Sequence, residues 1–374
     1  MLMSCTSQKE NEEEAILKVA VHSEKYKNSL IELWNEVYPN TELTVEVVKE
    51  EDIENKLLNQ EEIEYDVYWL EDTFVPLVIH QTLSLNHEVE VPINSNFNEI
   101  FNIINESYQP LMAFSNTYYA LDLNVLENNE LNESDFETFE SINKIENSFY
   151  YLDDLYFTKY FLYSNLNYFP HEKFGRINFN SEDFVAALNN YRKIYELIPM
   201  NDRNSFDNWF INNNYASGFV TLNMQLNEDE MINGGKYKIT KLPTINGEQL
   251  YMEANSYGYV VNKNTEYPNA ARNLVNLMHS IKGVQLLCNE EHFVPLIQEN
   301  MIDKFTYVNN HLKEKTFAMN YMISRCFVGM ENKSGTVLDY LFLEDTINKL
   351  KTCDLENIQA CQLELDESYQ EWLK

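Results

Sequence analysis

Between Leu17 and Gln81 short apolar runs alternate with stretches of helical period, and this alternation constrains the fold more than any other feature of the chain. Leu17, Val19 and Val21 mark a strand, after which Tyr26, Leu30, Leu33, Trp34 and Val37 recur at spacings of three and four. Leu43 to Val48 is a second strand, a charged helix carrying Leu57-Leu58 follows, and Tyr65 to Trp69 is a third strand before a helix from about Thr73 to Gln81. Strand, helix, strand, helix, strand is a parallel α/β unit. Its ligands sit off the carboxyl ends of the strands, so His22 to Lys25 and Trp69 to Asp72 are candidate ligand loops.

The later chain is expected to be extended from Leu111 to Val125 and mainly helical from Ser134, with an aromatic-rich segment from Phe149 to Phe169. Ser181 caps a helix over Phe184 to Leu197, and Asn208 to Asn214 forms a short helix. Strands follow at Phe219 to Asn223, at Tyr237 to Leu242 after a Gly234-Gly235 turn, and at Tyr257 to Val261. Tyr267 to Ile281 is helical, as is most of Leu296 to Lys374. The 374 residues suggest about two domains. No Pro- or Ser-rich linker divides them, so two domains must be joined by several strand crossovers.

With 60 acidic and 27 basic residues the net charge is -33, which excludes nucleic-acid backbone as a partner and favours cationic ones. Only 9 glycines occur, and neither a glycine-rich phosphate loop nor HExxH nor GxSxG is present. Nothing in the sequence calls for an enzyme, a cofactor or a metal. Cys288 and His292 read as a packing pair, and the acidic pairs Asp153-Asp154 and Glu71-Asp72 are what so many carboxylates yield by chance. The runs Glu12 to Glu14 and Glu50 to Asp52 read as solvated faces. No stretch reaches the ~20 apolar residues of a membrane span.

Five cysteines without a CxxC spacing argue against a zinc module and a disulfide scaffold, and Cys288, Cys326, Cys353 and Cys361 read as packing residues. Cys5 follows Leu2-Met3-Ser4 and precedes a polar run to Glu14, which suits either a lipid-modified cysteine with its tether or an ordinary start with an incidental thiol. Trp69 ends an apolar strand and is followed by two carboxylates. Such a ring either stacks on the C–H face of a sugar while the acids bond its hydroxyls, or caps the sheet as a core residue. Trp34 and Trp372 read as packing.

Several stretches, taken in order, resemble the family 1 extracellular solute-binding proteins of ABC importers, the group of the maltose-binding protein. They are Leu17 to Val21, Leu43 to Val47, Tyr65 to Asp72, Asn180 to Leu188, Tyr215 to Gly218, Lys241-Leu242-Pro243-Thr244, Tyr257 to Val261, Pro268 to Ala271 and His292 to Pro295. The resemblance implies an α/β, two-lobed periplasmic-binding-protein-like fold of type II, with lobes joined by crossover strands and a ligand cleft between them. By that likeness residues 1–14 are a lipoprotein tether, 15–110 and 256–298 form one lobe, and 111–255 and 299–374 form the other.

It further implies a monomeric, lipid-anchored receptor on the outer face of a bacterial cell membrane, modified at Cys5, that delivers an oligosaccharide to an ABC permease. Ligand-binding positions carried over are Trp69, Asp72, Asp154 and Tyr156, with Tyr119 at a further cleft position, Glu24 and Lys25 in the first ligand loop, Glu71 in the loop after the third strand, Met224 in the region of a family tryptophan and Tyr340 at a C-terminal stacking position. Thr73 stands where the family has an arginine, Met224-Gln225 lacks its tryptophan, and maltose specificity does not carry over. A polyamine or other cation is the alternative ligand, a glycan-degrading enzyme using Asp154 is a further one, and a module that has lost its ligand is the last.

Overall fold

The computed structural model describes residues 15–71, 74–85, 91, 107–114, 117–150, 182–197, 215–221, 237–250, 252–253, 255–290, 293–325 and 357–372. The anticipated features at Phe184's neighbour Ser181, Asn208 to Asn214, Gly234-Gly235 and most of the aromatic-rich segment lie outside them.

The opening alternation folds as its period dictates. Strand β1 is Ile16–Val21, β2 is Glu42–Val47 and β3 is Val67–Glu71, with β1 parallel to both of the others. Helix α1, Glu24–Val37, buries Tyr26, Leu30, Leu33 and Trp34, the stripe expected from their spacing. Ser23 caps it by accepting from the Tyr26 N–H, and the helix stops at Tyr38, whose freedom the following Pro39 restricts. Trp34 is fully buried and donates its indole N–H to Thr41 O at 2.9 Å, a core residue as expected. Helix α2, Glu50–Leu58, carries three acids in its first turn, which favours that end of the helix dipole.

Strands β4 (Pro110–Phe114), β10 (Asn255–Val261) and β11 (Val294–Pro295) complete a six-stranded sheet in the order β11-β4-β10-β3-β1-β2. A second sheet of four strands runs β6-β7-β5-β8, where β5 is Thr117–Asp122, β6 Phe149–Tyr150, β7 Ser217–Thr221 and β8 Tyr237–Thr240. The chain passes between the sheets from β4 to β5, and returns from β9 (Met252–Glu253) to β10. It passes a third time after β11, through helix Glu299–Ile302, to a helix Asn310–Met322 that packs on β8 and then leads to β12, Ile323–Arg325, beside β9. Two α/β layers linked by repeated crossovers are the expected architecture. The anticipated divisions at 110/111 and 255/256 fall within β4 and β10, two strands of the first sheet.

Helix α3 is Glu182–Leu197, and a helix Ile358–Trp372 near the C-terminus packs on it. That last helix carries a correction. Cys361 packs in the core as expected but is disulfide-bonded, because an odd cysteine count still leaves pairs free to bridge. Cys288 does pack as a buried thiol, and burial pushes its pKa up to about 12, so it is inert. Cys326, Cys353 and His292 lie outside the described residues.

β10 passes very close to the segment before β4. A side-chain carbon at Gly258 would stand 2.2 Å from Gln109 O and 2.8 Å from the Tyr108 ring, and the pairing register shifts between Tyr257 and Gly258. Gly258→Ala is therefore expected to cost about 1–3 kcal/mol through overpacking, read as a lower urea midpoint at unchanged slope.

Candidate functional site

The carboxyl ends of β1, β2 and β3 meet the returning strand β10 in an aromatic cluster. In the order β3-β1-β2, a ring at the end of β3 can lie across the end of β1, and Trp69 does so. Its indole N–H reaches Val48 O, just past β2, at 3.1 Å. Register alternation puts Trp69 and Glu71 on one face of β3 opposite Tyr259 and Tyr257 of β10. His22, the first residue after β1, stands with its ring centroid 4.7 Å from Tyr26, 5.9 Å from Trp69 and 4.9 Å from Phe293. Its Nδ1 lies 3.2 Å from the Tyr259 hydroxyl. Burial holds the Tyr259 phenol well above its usual pKa, so that hydroxyl keeps its proton and can donate.

Beside this cluster three carboxylates converge. Glu50 and Glu54 come from α2 and Glu71 from the end of β3, each with an oxygen within 4.8 Å of the others. The Tyr257 hydroxyl bridges Glu50 and Glu71 at 3.5 and 3.4 Å. Burial first, and then the neighbouring Glu71, raise the Glu50 pKa to about 9, so at neutral pH Glu50 holds a proton. Glu54 is raised as well, chiefly by burial and then by Glu71. A proton held on Glu50 lowers the repulsion among the three acids. The reading of Glu50 to Asp52 as a solvated face is thus corrected for Glu50. The signal for it was positional, since Glu50 opens the helix just past β2 on the ligand edge of the sheet.

Of the residues named from the sequence, Trp69 is 5% exposed and Glu71 is partly exposed beside the acidic pair. Glu24 and Lys25 turn away from the cluster: Glu24 pairs with Lys27 at 3.4 Å, and Lys25 bonds the Asn289 carbonyl. His22 takes their place at its centre. Tyr119 lies in the second sheet, fully buried, its ring against Phe149 and Phe219. Asp72, Asp154, Tyr156, Met224, Tyr340 and Cys5 lie outside the described residues, as does Thr73.

A cavity of about 750 Å³ opens elsewhere, between β8 and the third crossover. Its lysines are committed to acids: Lys238 to Glu133 and Lys313 to Asp303, both at 2.6 Å, with Lys241 in the field of Glu299 and Glu137. The ligand loops do not line it. The chemistry of the carboxyl edge makes that edge the stronger site: acceptors, a phenol hydroxyl and rings in one place.

No family model matches the sequence, and no curated protein matches it. Among solved structures, the extracellular solute-binding protein of Staphylococcus aureus in complex with maltose is 13% identical, with 95% of this chain and 97% of that one covered at a TM-score of 0.73. The sugar-binding protein of Xanthomonas citri is 13% identical over 96% and 97% at 0.70. The cyclic alpha-maltosyl-1,6-maltose binding protein of Arthrobacter globiformis is 11% identical over 95% and 98% at 0.68. The chain therefore has the fold of these binding proteins along nearly its whole length.

Because Glu50 binds its proton more tightly folded than unfolded, the folded state carries the extra proton between the ordinary carboxylate pKa of 4.5 and about 9. Stability from this group is full below that window and falls as pH rises through it. Glu50→Gln, which keeps the shape without the titration, is expected to flatten that decline, so its gain over the parent in thermal melting grows from pH 5 to pH 9.

Proposed function

We propose that the protein is the substrate-binding receptor of an ABC importer, capturing an oligosaccharide between its lobes and handing it to a membrane permease without bond chemistry. The observation that supports this best is the shared fold, at a TM-score of 0.73 over 95% of the chain, with a protein solved in complex with maltose. The carboxyl edge adds chemical support. A sugar offers hydroxyl donors and an apolar face, and this edge sets carboxylates beside aromatic rings. One lobe is built on the six-stranded sheet and supplies Glu71 and Asp72, beside the aromatic cluster that Trp69 underlies. By the family resemblance Asp154, Tyr156, Met224 and Tyr340 are the candidate contacts of the other lobe, whereas Tyr119 is enclosed in the core of the four-stranded sheet. Ligand touching both lobes favours the closed form, which the permease then meets.

The receptor acts on the outer face of the membrane, held by lipid on Cys5. The disulfide at Cys361 supports an oxidising location. In the native host, labelled palmitate is expected in the protein and absent from its Cys5→Ser variant; equal labelling of both overturns the anchor.

A second reading, in which the ligand is a polyamine, draws on the Glu50, Glu54 and Glu71 trio. A thermal-shift panel of maltodextrins, other oligosaccharides, monosaccharides and polyamines separates the two. Ligand at ~100 times its dissociation constant adds about 2.7 kcal/mol, enough to observe. One glycan class is expected to raise the melting temperature with little salt dependence. A rise with polyamines alone, lost in salt, replaces the sugar reading.

A further inference from the structure

We infer that the ring a sugar meets on the first lobe is Phe293, flanked by His22, and that Trp69 lies one layer beneath as a positioning residue. This rests on the carbohydrate reading of the same edge and names its contact surface.

Stacking requires a ring with an accessible surface. Trp69 is 5% exposed and Tyr257 4%, while Tyr26 and Tyr259 are fully enclosed. Trp69 is also chemically committed, its indole N–H held by Val48 O and its ring covered by Tyr257 at 5.6 Å, His22 at 5.9 Å and Phe293 at 6.1 Å. The members of the cluster that keep partial exposure are His22, Phe293 and Phe114. The surface offered to a ligand is therefore theirs.

Phe293 is the best placed of the three. It immediately precedes β11, whose pairing with β4 fixes the backbone beside it. Its ring stands nearly perpendicular to three others, at 71° to His22, 74° to Tyr257 and 80° to Trp69, and packs on Phe114 at 6.1 Å. A ring braced from several sides loses little freedom when a ligand arrives, which favours affinity. Phenylalanine also has no polar atom to satisfy, so its exposed surface can be purely apolar. Tyr257 joins this ring to the acceptors: its ring contacts Phe293 at 5.3 Å, and its hydroxyl holds Glu71 and Glu50 at 3.4 and 3.5 Å. An apolar surface next to carboxylate acceptors matches the two sides of a pyranose.

The test is calorimetric titration of the full chain and its variants with maltotriose, cellotriose and chitotriose. Phe293→Ala is expected to weaken the sugar that binds by about tenfold or more, and Phe293→Leu, which keeps most of the packing, to weaken it similarly at a near-parent melting temperature. Phe293→Trp retains binding, and its new indole is quenched by acrylamide more than Trp69 is. Trp69→Ala loses affinity, while Trp69→Phe restores it to within about twofold because a ring again supports Phe293. Parent-like affinity in both Phe293→Ala and Phe293→Leu, with loss in Trp69→Phe, overturns this inference and leaves the carbohydrate reading standing. If the parent binds none of the sugars, that reading falls and the sugar contact falls with it.

Discussion

The site depends on one strand insertion. β10 returns from the second sheet and lies antiparallel between β3 and β4, so the end of the first sheet is built from a segment nearly two hundred residues away in sequence, with Tyr257 paired to Glu71 and Tyr259 to Trp69. The fit is close enough that position 258 admits no side chain against Gln109 O. Tyr108 closes the same contact, its hydroxyl within 3.4 Å of Leu70 O and 3.3 Å of Ser256 O. A slip of one residue would send Tyr257 and Tyr259 to the opposite face and dismantle both the aromatic cluster and the bridge between the carboxylates. The register of β10 thus ties the crossover between the sheets to the chemistry at their edge.

The charge of the chain enters the site in a controlled way. A net charge of -33 would make three converging carboxylates costly if all were ionised. Holding a proton on Glu50 removes that repulsion and leaves Glu71 as an acceptor with a neighbouring donor. The first loop is fastened by similar means. Ser23 donates to Glu290 at 2.9 Å while capping α1, and Lys25 holds the adjacent Asn289 carbonyl, so the loop after β1 is clamped to the turn before β11. This clamp brings His22 and Phe293 together from distant parts of the chain. Glu290 is 5% exposed and accepts that hydroxyl's hydrogen bond.

Periodic segments were legible in the sequence because local pattern and tertiary burial agree there. The stripe from Tyr26 to Trp34 is both a helix pattern and a buried face, and the apolar alternation of Leu17, Val19 and Val21 is both a strand pattern and a core. Trp69 was legible as a residue at the ligand edge, but not as one covered by other rings, since its cover comes from Tyr257 and Phe293. Glu50 resembled its exposed neighbours Glu51 and Asp52 because composition carries no information about which member of an acidic run faces inward. Glu24 and Lys25 were singled out by chemistry, whereas the local turn of α1 directs them to Lys27 and Asn289 and leaves His22 facing the cluster. The bridge at Cys361 could not be read from spacing, because its sequence neighbours say nothing of which cysteines meet in space.

The layering at the edge has a consequence for specificity. A buried indole bonded to a backbone carbonyl is a fixed floor, so in the proposed site the outer ring and the nearby carboxylates are the parts left to meet a ligand. Substitutions at the outer layer are expected to leave the sheet intact, since the Phe293 side chain makes no hydrogen bond and is only partly buried. Changes in the floor act through stability and through the pose of the ring above. An edge layered in this way can change its outer ring while β3 and β10 stay intact, and the fold is shared at a TM-score of 0.73 with a chain only 13% identical.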